Sequence, residues 1–192
     1  MAESSEDKHN SFYIARSEAL NAYNLVEQGL AIVFARMLGT ETRFATLIIS
    51  KIINTRARNE VVQRVIDDRT KKEFRPFTNS LFTEIADVDS IRNQLVHWRV
   101  DVMTGDYTLR PADLMSDSDA RLHEADIDEL VKKCLFLAET IHFFDGFIQN
   151  EVPDQTWRDR FSQPLKYPPE RDDLLFRSRR VQPIPPETFQ EK

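Results

Sequence analysis

The sequence predicts an all-α fold: a bundle of four to five long helices with one short β-hairpin. Three observations carry that expectation. Apolar residues recur at steps of three and four along most of the chain. Only four glycines occur, too few for a turn-rich β-sandwich or barrel. One stretch near the middle switches to a period of two around Thr104-Gly105-Asp106. At 192 residues the chain suits one domain with an appendage, large enough to bury a core without staples.

The first ten residues, MAESSEDKHN, are polar and acidic and are expected to lack structure. The domain proper is expected over 11–150. From Phe12 to Leu38 the apolar positions Phe12, Ala15, Ala19, Tyr23, Val26, Leu30, Val33, Phe34 and Met37 form one helical stripe. Gly39 can close that helix in the left-handed conformation, and Thr40 can cap the next. Glu41 to Ile53 is apolar almost all round, which predicts a helix buried on several sides. Its isoleucine run can also be read as a strand; its length and helical neighbours favour helix. A third helix is expected over Ala57–Asp68, with Val61, Val62, Val65 and Ile66 inward.

A fourth helix spans about Lys72 to Trp98, with Pro76 near its start, where a missing N–H does little harm. The alternating segment that follows predicts a hairpin at about 99–110, ended by Pro111, then a polar loop to about Glu124. Asp126 can cap the last long helix, Ile127–Gln149, with Glu129 completing a capping box. That helix is apolar beyond one stripe and needs two partners, either a second subunit or other parts of one larger core. Residues 151–192 hold seven of the nine prolines and also Trp157, Phe161, Leu165 and Tyr167. This extension is expected to be proline-rich, with a helical turn near Thr156–Phe161, and partly packed on the body or a partner subunit.

Charge and composition narrow the function classes. The net charge of −6 weighs against a broad nucleic-acid-coating surface, because phosphate contacts need Lys and Arg. A local basic patch remains compatible with it. The single cysteine, Cys134, builds no disulfide framework, which points to a reducing cytoplasm. No apolar run is long enough to span a bilayer, so no membrane role is expected. No histidine pair has metal-ligand spacing, DSDARLHEADIDE lacks the EF-hand glycine, and no phosphate-cradling glycine loop or Gly-x-Ser-x-Gly setting occurs. Neither metal nor cofactor is expected.

The informative stretch is SIRNQLVHWRV, Ser90 to Val100. At about 100° per residue, with Phe74 at zero, the apolar stripe of the fourth helix centres near about 330°. Arg92 falls at roughly 0°, on that stripe, while Asn93 and His97, four apart, share a face beside it. A charge on a buried stripe is costly unless it is paired or the stripe opens into a cleft. An imidazole changes charge near neutrality and can act as general base or acid. A guanidinium offers a planar fork of donors to phosphate oxygens. Asn93 can orient either partner. Arg92, Asn93 and His97 are therefore the candidate catalytic residues.

RNQLVH, Arg92 to His97, resembles the Arg-Asn-x-x-x-His signature of the HEPN superfamily, and the helix order over about 12–150 is similar too. Three fixed residues carry little specificity alone; their place near the C-terminal end of a long helix adds to it. The resemblance implies a HEPN-like helical bundle in which two copies of the motif face each other across a homodimer cleft. It implies metal-independent RNA cleavage by 2′-hydroxyl attack, leaving cyclic phosphate ends. The hairpin after the motif looks like that of one subset of HEPN-like bacterial proteins. A cytoplasmic toxin or defence component, held by an antitoxin or other regulatory protein, is the implied setting. The rival expectation is a catalytically silent HEPN-like module that binds a protein partner or RNA.

Three accessory residues stand beside the motif. Asp89 can pair with Arg92 or Asn93. Trp98 can stack on a base, although packing the hairpin onto the bundle is the plainer role. Arg99 follows directly. Arg92 can alternatively form a structural bridge to Glu84, Asp87 or Asp89, and Arg and His are favoured near helix C-termini in any case. The tail run RSRR, 177–180, is a candidate RNA-backbone contact, though such runs are commonly just solvated.

Overall fold

A computed structural model describes residues 5–101, 107–112, 120–149 and 155–169. The chain forms α1 (Ser5–Leu38), α2 (Thr42–Ser50), α3 (Thr55–Arg69), α4 (Arg75–His97), β1 (Arg99–Asp101), β2 (Thr108–Arg110), α5 (Glu124–Ile148) and α6 (Gln155–Phe161). The mostly helical architecture and the hairpin agree with the sequence. The strands pair antiparallel, Arg99 opposite Arg110 and Asp101 opposite Thr108, and Leu109 bridges to Leu122. The expected turn at 104–106 lies outside the described residues, as does the RSRR run. Among the described residues no helix is long and apolar enough to cross a membrane.

The core is built on α1 and α5. Ser11 Oγ donates to Glu124 near their starts, and Arg36 pairs with Asp145 at 3.1 Å near their ends. The two helices therefore run parallel. Alanines 15, 19, 22, 31 and 35 are buried along α1 and let neighbours approach. At Gly29 the approach is close, since a Cβ there would lie 3.0 Å from Ile141 Cγ2. Ile141 is buried and β-branched, so it has little room to yield. We expect Gly29→Leu to cost about 1–3 kcal/mol, read as a fall in melting temperature by circular dichroism. An unchanged melting temperature would show that the helices are not in contact there.

Helix α4 covers another side of α5. Phe77 lies 5.0 Å from Phe144, and Lys133 bridges Glu84 at 2.5 Å. Helix α6 closes a further side: Trp157 stacks on Phe143 at 5.1 Å, and Phe161 wedges among Phe77, Phe144 and Phe147. The chain then continues over the bundle, where Leu165 N–H donates to Ser80 Oγ and Tyr167 Oη donates to Glu129. The apolar breadth of α5 is thus satisfied within one chain, with Leu135 left partly exposed. Cys134 is buried beneath it; burial pushes its thiol up to about 12, with Lys133 opposing, which leaves it unreactive.

Several local expectations are corrected. Residues 5–10, expected to lack structure, belong to α1. Glu41, not Thr40, is the N-cap of α2, although Gly39 closes α1 at φ +66° as expected. Helix α2 is short and is not buried on several sides. Ala45 and Ile49 face the core, while Phe44, Leu47 and Ile48 are 53%, 51% and 50% exposed and Ile53 is 98% exposed. Helix α5 starts earlier than expected, with His123 as N-cap; Asp126 acts from inside the first turn, accepting the His123 N–H at 2.8 Å. Asn54 caps α3 by accepting from Ala57 N–H at 3.1 Å.

Candidate functional site

The motif occupies the last turns of α4, and each residue meets a different environment. Ile85, Val88 and Leu95 hold the helix to the core. Asn93 and His97 are exposed, one turn apart on one face. His97 is the last helical residue, and Trp98 N–H closes the helix on Gln94 O at 2.8 Å. Trp98 is half-buried against the core, the packing role rather than an open stacking platform. Arg99 is exposed at the start of β1, beyond His97.

Arg92 is half-buried. Its guanidinium carbon sits 5.4 Å from the centroid of the Tyr23 ring, and Nη1 donates to Asn93 Oδ1 at 3.2 Å. Its Nε is buried with no hydrogen-bond partner among the described residues. Among the described residues the arginine is thus held by an aromatic face and an amide, not by a carboxylate. The structural bridges open to it in the sequence are not made: Lys133 takes Glu84 and Asp87.

Asp89 does not pair with Arg92 or Asn93, and that expectation is corrected. It is buried and accepts from Tyr23 Oη and, at 2.9 Å, from Asn59 Nδ2. Arg58 completes the network, donating to Tyr23 Oη at 3.4 Å and pairing with Glu27 at 2.6 Å. Helix α4 turns Val88 and Asp89 to the same buried side, so the carboxylate enters the core with its apolar neighbour. Burial raises the Asp89 carboxyl above its ordinary value, while the Tyr23 hydroxyl, the Arg58 charge and the Asn59 amide oppose the rise.

Tyr23, Arg58, Asn59 and Glu27 were not recognised in the sequence. Tyr23 sits in the α1 apolar stripe, where only its hydroxyl signals a polar partner. Asn59 carried a readable sign: it lies three residues before Val62 and seven before Ile66, on the inward face of α3.

Burial raises the Tyr23 phenol far above the ordinary tyrosine value, reinforced by the hydrogen bond to Asp89. Tyr167 is raised by burial and by its bond to Glu129. A phenol raised in the fold contributes stability that is complete below the ordinary value near 10 and is lost as pH climbs through the raised one. In an alkaline titration followed by phenolate absorbance, Tyr23→Phe and Tyr167→Phe should leave the step near pH 10 unchanged. Each should instead diminish the step that accompanies unfolding. A smaller first step in either variant would contradict the buried network.

A groove of about 950 Å³ runs between α3 and α4. Asn59, Gln63, Asn79, Thr83, Asp87 and Asn93 are among its lining residues, so one motif residue forms part of its wall. Arg92 and His97 lie outside it. Comparisons with family models, curated proteins and solved structures find no match for this chain.

Proposed function

We propose that this chain is a HEPN-like, metal-independent endoribonuclease that acts as a homodimer through paired Arg92-Asn93-His97 motifs. The observation that carries the reading is the presentation of the motif. The imidazole and amide stand open on one helical face, while the guanidinium beside them meets no neutralising carboxylate among the described residues. An arginine kept from acidic partners retains its charge for a phosphate.

In this reading His97 of one copy takes the proton from a ribose 2′-hydroxyl. The 2′-oxygen bonds to phosphorus as the bond to the 5′-oxygen breaks. His97 of the second copy protonates that leaving oxygen. Arg92 donates to the non-bridging oxygens as charge builds, and Asn93 holds the guanidinium in place. The products carry a 2′,3′-cyclic phosphate and a 5′-hydroxyl. The setting we infer is a cytoplasmic toxin or defence component restrained by a regulatory protein.

The test is incubation of mixed RNA with the protein in EDTA, with end-group analysis and sedimentation. Cyclic phosphate ends from a dimer are expected. Products ending in 3′-hydroxyl, or full activity from a monomer, would overturn the paired-site mechanism. A second reading, a silent module that docks on a protein partner, is favoured by the exposed apolar face of α2 formed by Phe44, Leu47 and Ile48. Absence of cleavage together with capture of a defined partner by that face would select it.

A further inference from the structure

We propose that the groove between α3 and α4 is the subsite for one unpaired nucleobase beside the cleaved bond, favouring bases with an exocyclic amino group. This rests on the RNA-cleaving reading above and names the form of RNA that the site takes. At about 950 Å³ the groove falls within the size range of small-molecule sites, roughly 300–1,000 Å³. Its wall carries amides and hydroxyls, the groups that match base edges, beside carboxylates and the apolar Phe82 and Ala86. Gln63 donates to Asn79 across it at 2.8 Å, an exposed bond that a base edge can replace on both sides.

Charge decides which part of a nucleotide enters. Glu60, Asp87 and Asp89 line the groove; the one lining cation, Arg56, pairs with Glu60 at 3.2 Å, and Lys133, outside the lining, reaches Asp87 at 3.4 Å. Such a wall repels phosphate and accepts hydrogen bonds from amino groups. Asn59 adds a buried acceptor, Oδ1, with no donor among the described residues. The arginines Arg92 and Arg99 and the imidazole of His97 lie outside the groove's lining, around and after Asn93 in the chain. Asn93 joins the two regions, since it lines the groove and accepts from Arg92. The backbone then runs over the motif while the neighbouring base drops into the groove. A duplex cannot do this, because its base edges are already paired.

The test uses the full chain. His97→Ala, alone and combined with Thr83→Leu, is titrated into fluorescent single-stranded oligo-A, oligo-C and oligo-U and into a duplex, followed by anisotropy. Thr83 is exposed on α4 and lines the groove, so leucine replaces its hydroxyl with a larger apolar group in the wall without disturbing the core. His97→Ala should bind oligo-A and oligo-C more tightly than oligo-U or duplex. Thr83→Leu should weaken that binding about tenfold, the loss of roughly one well-paired base contact. In the otherwise wild-type protein Thr83→Leu should raise KM with kcat unchanged. Equal binding by the Thr83→Leu variant, or no preference for amino-bearing single strands, overturns the subsite. Groove-dependent binding without cleavage by the wild type removes the catalytic reading and leaves the subsite. Cleavage indifferent to Thr83→Leu does the reverse, and neither binding nor cleavage removes both.

Discussion

Replacing His97 with alanine should lower RNA cleavage by about 10²–10⁴-fold, the usual worth of a positioned proton-transfer group. The fold should survive, because His97 is exposed at the final position of α4 and supports no core contact. Cleavage in EDTA and thermal circular dichroism, on the same preparation, separate the two effects. Mixed dimers sharpen the result. If one imidazole acts as base and the other as acid, a dimer with a single His97→Ala subunit loses most of its activity. A mixed dimer that keeps half would overturn the shared mechanism and leave each motif acting alone.

The largest effect on stability is expected at Asp89. Removing its carboxylate in Asp89→Ala leaves the Tyr23 hydroxyl proton and the Asn59 amide without acceptors inside the core. The cost should be about 2–4 kcal/mol, since buried polar groups left unpaired lose about 1–2 kcal/mol each at the lower end of the usual range. For a chain of this size that lowers the melting temperature by roughly 5–15 °C. Asp89→Asn should cost less, because it keeps the shape and the Asn59 amide can turn its unpartnered oxygen towards the new donor. The two variants also differ from wild type in pH dependence. The Asp89 carboxyl is raised, so the fold binds its proton more tightly than the unfolded chain does. The resulting stability is complete below the ordinary value near 3.8 and is lost as pH rises through Asp89's own value. Asp89→Asn should flatten that segment of the stability profile. A profile unchanged by the substitution would place the carboxylate outside the core network.

Much of the fold was legible because a long helix repeats its message. The α1 stripe from Phe12 to Met37 offers nine chances to read the same period, and each of those residues is buried. Helix α2 offered no such redundancy. Its isoleucines and Phe44 announce burial, yet among the described residues only Ala45 and Ile49 of the helix are buried. Periodicity ranks which residues seek cover and says nothing about which receive it. Around the motif, the exposure of Asn93 and His97 on one face follows from helix geometry alone. The partner of Asp89 does not. Tyr23 is 66 residues away on α1 and Asn59 is 30 away on α3. Neighbours in sequence, Arg92 and Asn93, were the visible candidates, and the choice among them was made by helices that the sequence does not place in space.

The parallel pairing of α1 with α5 bears on how the chain is born. Ser11 waits for Glu124, 113 residues downstream. At roughly 5–20 residues per second of synthesis, the first helix leaves the ribosome about 5–20 s before its principal partner exists. Throughout that interval the side of its greasy stripe that α5 covers has no permanent partner. Contacts of such long range also slow folding, because a large loop must close before they form. Truncated nascent chains that stop before residue 124 should therefore bind holdase chaperones, and release should coincide with the emergence of α5.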